Sequence, residues 1–301
     1  MAVLTLADRW PFDPSFLSQK SYNPSSVRIL LISDIHSNLE ALEACLDAAP
    51  AHDLAVNLGD TVGYGSNPNE VIARAQALGR VFVRGNHDKA ACGLKGIQDF
   101  NPAAGLATLW TRNQLTPENL DWLRALPQGP IQLDELPGIQ FVHGAAHDED
   151  AYVMSAHDAI APRIVKTNTS VEVDVDIDVN VSSAQVTFFG HTHLQGGFSL
   201  TDEYSETHHP KYRSAERIES FEWPLHKDKD NDTDQVRHYL INPGSVGQPR
   251  DGDWRAAFAV FDTEAWTVTF YRVPYNLRVA QEKILAANLP QRLATRLATG
   301  R

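Results

Sequence analysis

Apolar and polar positions follow one another along the first hundred residues in blocks that predict strands followed by helices. The run RILLIS at 28–33 is typical of a buried strand, and 38–49 places leucines and a cysteine at helical spacing on one face. The next blocks predict a strand at 54–57, a helix opening at Asn67 and Pro68, and a strand at 80–84. This strand–helix rhythm predicts an α/β fold with a largely parallel sheet.

The remaining two thirds of the chain is predicted to be richer in strands. Helices are predicted to begin at Pro102 and Pro117, and we expect their large apolar residues, including Leu106 and Leu109, to lie in the core. Strands are predicted near 130–133, 139–142, 185–190, 238–242, 256–262 and 266–273. The last residues are predicted to be helical with a break at Pro290.

Three stretches depart from this pattern. Residues 1–26 contain three prolines and are predicted to be an extension on the surface of a domain that spans 27–301. The stretch 171–181 alternates Val or Ile with acidic residues or Asn, which predicts a strand with one acidic face. Although DVDIDV is similar to the start of a calcium loop, it lacks the required glycine. The polar stretch 202–237 is predicted to be a surface insertion, with its adjacent histidines in solvent.

Composition and charge exclude several classes of protein. A formal net charge of -12 argues against a basic surface for nucleic acid, so we expect no stable nucleic-acid binding. Cys45 and Cys92 provide neither a disulfide framework nor a zinc motif, so we expect reduced thiols. No apolar run spans 18 residues, and the N-terminus does not have the pattern of a signal peptide. These features predict a cytoplasmic protein without a membrane span, and they leave its oligomeric state open.

Five of the predicted strands run into loops that carry Asp, Asn or His. These residues are Asp34 and His36, then Asp60, then Asn86, His87 and Asp88, then His143, and finally His191 and His193. Ligands bind beyond the carboxyl ends of strands in open α/β sheets, so the loops are expected to converge. Imidazole and carboxylate without thiolate suit transition ions, with manganese as our first choice and iron, zinc, cobalt or nickel as alternatives. Seven of these nine residues, all except His87 and Asp88, are candidate ligands, and seven suit two ions better than one if a carboxylate bridges them.

The ordered blocks D-x-H, GD, GNHD, H and GHTH resemble the calcineurin-like metallophosphoesterase family, in its bacterial single-domain phosphodiesterase-type branch. The segment 242–253, NPGSVGQPRDGD, is also similar to that branch, and the resemblance extends over about 28–275. It implies two packed mixed β-sheets flanked by helices in a four-layer sandwich. It further implies one ion held by Asp34, His36 and His193, a second held by Asn86, His143 and His191, and Asp60 as the bridge.

The resemblance also implies the chemistry of a phosphoric ester hydrolase. A hydroxide that bridges the two ions would attack phosphorus in line. We assign His87 to protonating the leaving group or steadying the phosphate, with Asp88 in support, although His87 could instead only orient ligands. Arg250 is a candidate bidentate clamp for the phosphate, or else an ordinary surface arginine.

One departure from the family's motifs narrows the range of expected substrates. The Ser/Thr protein phosphatase branch reads GDxxDRG at the second block, whereas this chain reads GDTVGYG, with Gly63 and Tyr64 in place of Asp and Arg. We therefore expect a small phosphorylated substrate: a phosphodiester, a phosphoanhydride such as a dinucleoside polyphosphate, or a phosphomonoester. A Ser/Thr-type protein phosphatase, a nuclease and a catalytically inactive scaffold of the same fold are the alternatives. An inactive scaffold would be expected to have lost ligands, and all seven are present.

Overall fold

The computed structural model describes residues 26–79, 81–159, 184–201, 204–226 and 237–301. Its strands are β1 (Arg28–Ile32), β2 (Leu54–Asn57), β3 (Val81–Phe82), β4 (Ile131–Gln132), β5 (Ile139–Phe141), β6 (Val186–Phe188), β7 (Gly196–Leu200), β8 (Ser205–His208), β9 (Glu219–Pro224), β10 (His238–Asn242), β11 (Ala256–Asp262) and β12 (Thr267–Val273). Its helices are α1 (Leu39–Ala48), α2 (Pro68–Leu78), α3 (Asn86–Ala91), α4 (Pro102–Gln114), α5 (Pro117–Ala125), α6 (Leu277–Ala286) and α7 (Gln291–Leu297). The predicted extension and the predicted strand at 171–181 lie outside the described residues, apart from residue 26.

The strands form two mixed six-stranded sheets that pack face to face. The first sheet has the order β3-β2-β1-β11-β12-β9, and the second has the order β4-β5-β6-β10-β7-β8. In β1, Ile29 and Leu31 point into the core between the sheets, whereas Leu30 points to the core under the helices. Ring contact between Phe188 of one sheet and Phe261 of the other, at 5.3 Å between centroids, joins the two layers. The predicted sandwich of two sheets flanked by helices is confirmed.

The structure confirms most of the predicted elements and adds four that the pattern did not indicate. The additions are α3, β7, β8 and β9. Asn101 accepts a hydrogen bond from the Ala104 main-chain nitrogen at 3.1 Å and so starts α4 as its position predicts. Asn67 occupies the same position before α2, but its side chain makes no capping hydrogen bond.

Part of the stretch 202–237, predicted to be a surface insertion, is built into the sheets. Strand β8 pairs with β7 at the edge of the second sheet, and β9 pairs with β12 at the edge of the first. His208 stacks on Trp223 with 4.1 Å between ring centroids, so its predicted place in solvent is wrong, whereas His209 is exposed as expected. The pattern did not indicate these strands because β8 contains only polar residues and β9 mixes polar with aromatic residues, so neither forms an apolar run.

Leu106 and Leu109 also depart from the prediction, because their side chains are 59% and 39% exposed. Helix α4 instead buries small residues, which are Ala104, Gly105, Ala107, Thr108 and Thr111. Small side chains allow this helix to approach α3 closely, and Arg112 donates to the main-chain oxygen of Ala90 at 2.5 Å.

Candidate metal centre

The loops after β1, β2, β3, β5 and β6 meet at one edge of the sandwich. Main-chain hydrogen bonds hold them together, from Asp34 to Gly59 at 2.9 Å and from His36 to Asp60 at 3.0 Å. The main-chain nitrogen of His191 donates to Asp34 Oδ2 at 3.2 Å, which connects the loops of the two sheets. The predicted convergence of these loops is therefore present in the fold.

Asp34, His36, Asp60 and His193 form a first buried cluster whose ligand atoms all lie within 4.8 Å of one another. His193 Nε2 is 3.2 Å from Asp34 Oδ1, and His36 Nε2 is 3.7 Å from Asp60 Oδ2. The Nε2 atoms of the two histidines are only 3.1 Å apart. A cation between these nitrogen and oxygen atoms would satisfy all four side chains.

A second buried cluster contains Asp60, His143 and His191, so that Asp60 belongs to both. His143 Nε2 lies 3.4 Å from Asp60 Oδ2 and 3.3 Å from Asn86 Oδ1. The rings of His143 and His191 have centroids 4.9 Å apart. All seven residues predicted as ligands are thus grouped in two sets that share one carboxylate.

Main-chain carbonyl groups select the tautomer of each of the four histidines predicted as ligands. The pairs are His36 Nδ1 with Val62 at 3.1 Å, His143 Nδ1 with Leu58 at 2.8 Å, His193 Nδ1 with Gln248 at 2.5 Å, and His191 Nε2 with Asp150 at 3.1 Å. A carbonyl oxygen can only accept, so the facing ring nitrogen donates and the opposite nitrogen of a neutral ring keeps its lone pair. Metal-binding histidines are held in this way.

Burial and neighbouring charges set the protonation of the clusters. Burial opposes ionisation of Asp34 and Asp60, but His193 beside Asp34 and His143 beside Asp60 outweigh it and lower both pKa values. Burial lowers the pKa of His191 to about 3, so this ring is neutral at neutral pH. Burial also opposes charge on His143, but Asp60 raises its pKa to about 10, and a cation bound there would replace that proton.

Two observations show that these residues fit divalent ions. Asp34 Oδ1 is buried and makes no hydrogen bond, which is costly for a carboxylate unless a cation contacts it. Five of the seven candidate ligands have a positive φ, namely Asp34, His36, Asp60, His191 and His193, with φ from 49° to 66°. Side chains other than glycine rarely adopt this conformation, and strain of this kind clusters at functional sites. The buried donor set could therefore hold two metal ions.

The three predicted helper residues surround this centre. His87 is buried, its ring centroid lies 4.9 Å from that of His36, and burial lowers its pKa to about 4. Asp88 accepts hydrogen bonds from the main-chain nitrogens of Val62 and Gly85, both at 3.1 Å, so both its oxygens tie loops together. Among the described residues, no hydrogen bond joins Asp88 to His87 Nδ1, which has no partner. Arg250 Nη2 donates to the hydroxyl of Tyr64 at 3.3 Å.

Gly63, in the loop after β2, has no side chain and so leaves room for the His87 ring. It has a φ of +98°, and a Cβ added there would lie 2.6 Å from His87 Nδ1. An L-residue at this position would therefore be strained and would also displace the ring. The departure GDTVGYG thus has a packing consequence, since it sets Tyr64 and His87 against each other with 4.4 Å between ring centroids.

Several residues at the centre were not identified from the sequence. Tyr152 stacks on His191 with 4.0 Å between ring centroids, and Lys89 pairs with Asp150 behind the same histidine at 2.8 Å. Arg296 in α7 lies 5.9 Å from the centre of the Tyr64 ring. The acidic run after His143 was the sequence feature that could have indicated Asp150, whereas nothing around Arg296 pointed to the centre.

Comparison with known proteins agrees with this geometry. Residues 27–195 match the family of calcineurin-like phosphoesterases. An uncharacterised protein of Methanocaldococcus jannaschii, MJ0912, is 33% identical over 275 residues, which cover 91% of this chain and 98% of that protein. The chain belongs to the calcineurin-like phosphoesterase family. It is a metal-dependent phosphoric ester hydrolase.

Two crystal structures resemble this fold closely. The metallophosphoesterase from Sphaerobacter thermophilus is 34% identical, has a TM-score of 0.70, and aligns over 92% of this chain and 100% of its own. The hypothetical protein PH1004 from Pyrococcus horikoshii OT3 is 18% identical, has a TM-score of 0.62, and aligns over 91% of this chain and 99% of its own. The second likeness concerns the fold alone. Among the described residues, no helix is long and apolar enough to cross a membrane.

Proposed function

We propose that this enzyme hydrolyses a small phosphodiester, phosphoanhydride or phosphomonoester with two divalent ions. The observation that carries the proposal is the shared carboxylate, because Asp60 belongs to both buried ligand clusters. Asp34, His36 and His193 would hold one ion, and Asn86, His143 and His191 would hold the other. Manganese is our first candidate, since imidazole, carboxylate and amide ligands without thiolate suit it.

When bound, the two ions supply an attacking hydroxide at neutral pH and neutralise charge that develops on the phosphate. The chain orients these ligands through the carbonyl groups behind each histidine. His87, whose ring adjoins that of His36 at 4.9 Å, would hydrogen-bond the phosphate or give the leaving group a proton. The acid role requires that the negative charge of a bound phosphate raise the pKa of His87 from about 4. Asp88 keeps the second and third loops in register through two main-chain nitrogens. Arg250 would contact the phosphate as a cation.

A small substrate is favoured over a phosphoprotein. Tyr64 stands where the protein phosphatase branch has its phosphate-binding arginine, and its ring is buried against His36 with 4.6 Å between centroids. The acidic balance of -12 gives nucleic acid little attraction. We place the enzyme in the cytoplasm, which the two free, buried thiols of Cys45 and Cys92 support.

A substrate panel on protein reconstituted with Mn²⁺ tests this proposal. It should compare bis-p-nitrophenyl phosphate, p-nitrophenyl phosphate, dinucleoside polyphosphates, cyclic nucleotides and a phosphopeptide at equal concentration. We expect turnover of one or more small substrates, little with the phosphopeptide, and none with Asp60→Asn as the matched control. A preference for the phosphopeptide would contradict the proposal and favour a protein phosphatase.

A further inference from the structure

Two arginine side chains lie against one tyrosine ring beside the metal centre. Cζ of Arg250 is 6.0 Å and Cζ of Arg296 is 5.9 Å from the centre of the Tyr64 ring. The same ring lies 4.6 Å from that of His36 and 4.4 Å from that of His87, measured between centroids. The Tyr64 ring therefore lies beside both arginines and beside the rings of His36, a candidate ligand, and of His87.

The fold fixes the position of Arg296. Helix α7 buries Leu293 and Leu297 against the helical side of the core, and Arg296 is half-buried on it. The Gly252 main-chain nitrogen donates to the oxygen of Gly300 at 2.9 Å, which attaches the segment after α7 to the loop that carries Arg250. The approach of the two arginines thus results from packing and main-chain contacts.

In the described part of the chain, the charges of Arg250 and Arg296 are not offset by an aspartate or a glutamate. Within the described ranges, no aspartate or glutamate forms an ion pair with Arg250 or Arg296; Arg296 Nε donates to the main-chain oxygen of Arg301 at 2.5 Å. Arg250 Nε is buried without a hydrogen-bond partner, and burial together with the Arg250 charge lowers the pKa of Arg296. Two other buried arginines do have acidic partners. Arg255 forms an ion pair with Asp253, and Arg272 forms one with Asp251.

Two cations held close together repel each other, and an anion between them would offset that repulsion. Guanidinium groups match phosphate oxygens through paired hydrogen bonds, so phosphate is the anion that this geometry suits. Arg250 lies nearer the ligands, since its main-chain nitrogen donates to the oxygen of His193 at 3.2 Å. Arg296, whose Nε is held by the Arg301 oxygen, would then contact a further group of the same substrate through its two Nη groups.

We propose that Arg296, together with Arg250, forms a subsite for a second phosphate linked to the phosphate that is hydrolysed. The preferred substrates are then compounds with two or more linked phosphates, such as nucleoside diphosphates, triphosphates or dinucleoside polyphosphates. This inference rests on the proposed function and narrows it to phosphoanhydrides. It concerns a residue beyond the matched range 27–195.

Binding of two ligands that differ by one phosphate tests the subsite. Titration calorimetry on Mn²⁺-loaded protein should compare AMP with adenosine 5′-(α,β-methylene)diphosphate, at one fixed Mn²⁺ concentration. The variants are Arg296→Met, which keeps the length of the side chain without its charge, and Arg296→Lys, which keeps the charge without the fork. Arg292→Met removes an exposed cation one turn earlier in the same helix and is the matched control.

We expect the wild type to bind the diphosphate analogue more tightly than AMP. Arg296→Met should weaken the analogue about tenfold to a hundredfold, as expected for charged hydrogen bonds, and AMP far less. Arg296→Lys should recover part of the loss, and Arg292→Met should keep the wild-type ratio. Equal losses for the two ligands, or a wild type that prefers AMP, would overturn the subsite. Because binding is measured without turnover, a failure of the substrate panel would contradict the proposed function separately.

Discussion

Lys89 and Asp150 form an ion pair of 2.8 Å directly behind the candidate ligand His191. The main-chain oxygen of Asp150 accepts the hydrogen bond from His191 Nε2, and Lys89 also pairs with Glu149 at 2.6 Å. Lys89 lies in α3, the helix that begins at Asn86. The ion pair therefore attaches the helix that begins with the candidate ligand Asn86 to the loop that orients the candidate ligand His191.

Replacing Lys89 with Met should weaken the second metal ion selectively. Groups that orient metal ligands are worth about tenfold to a hundredfold in metal affinity, so we expect a loss of that size at one of two sites. Elemental analysis across a Mn²⁺ titration measures this loss of affinity. At limiting Mn²⁺, the Lys89→Met variant should retain one ion per chain. Lys283→Met is the control, because it removes the ion pair between Lys283 on α6 and Glu40 on α1. Unchanged affinity for both ions would show that the ion pair does not orient His191.

The shared carboxylate predicts how ligand substitutions divide between the ions. Asp60→Asn should lower the content of both ions and activity together, because Asp60 belongs to both clusters. Asn86→Ala should lower the content of the second ion alone, since Asn86 Oδ1 lies 3.3 Å from Nε2 of His143, a candidate ligand of that ion. Elemental analysis after Mn²⁺ saturation separates these results. A chain that binds at most one ion in its wild-type form would contradict the bridged arrangement.

Metal bound to the candidate ligand loops, which carry backbone strain, should stabilise the folded protein. Residues held at a positive φ cost about 1–3 kcal/mol each, and the ligand set includes five of them. Saturation to 100 times the dissociation constant should add about 2.7 kcal/mol of unfolding free energy per ion. Thermal unfolding with and without EDTA measures the shift in Tm. Asp60→Asn should show a much smaller shift, and an equal shift would place the stabilising ion elsewhere.

Apolar strands followed by polar loops were sufficient to predict that the seven candidate ligands converge, whereas the packing of two sheets was implied by the family resemblance. Burial of both faces made β1 and β11 clear as runs without polar interruption. The pattern did not indicate β8 and β9 because neither strand forms an apolar run. Leu106 is predicted to lie in the core, but Ala104 and Ala107 of the same helix face the core instead. Contacts between distant segments cannot be predicted from a local pattern. The position of Arg296 beside the metal centre therefore follows only from the structure.

The role of His87 can be separated from that of the ligands by the choice of leaving group. The ring is buried beside Tyr64 and His36 and is not needed in either ligand cluster, so His87→Ala should retain both ions. General acid catalysis contributes about 10²–10⁴-fold, and it helps poor leaving groups most. His87→Ala should therefore lose most kcat on a nucleoside or alkyl leaving group and least on p-nitrophenolate, which departs without a proton.

The measurement compares kcat for a matched pair of diesters that differ only in the leaving group, together with metal content. His87→Asn is the second variant, because it keeps a hydrogen-bond donor in the buried position without the ability to transfer a proton. If Asn restores activity on both substrates, His87 binds the phosphate and the acid role is wrong. Equal losses of kcat for the two leaving groups in His87→Ala would also contradict the acid role. Loss of an ion in either variant would mean that His87, held against Gly63 and Tyr64, supports the ligands.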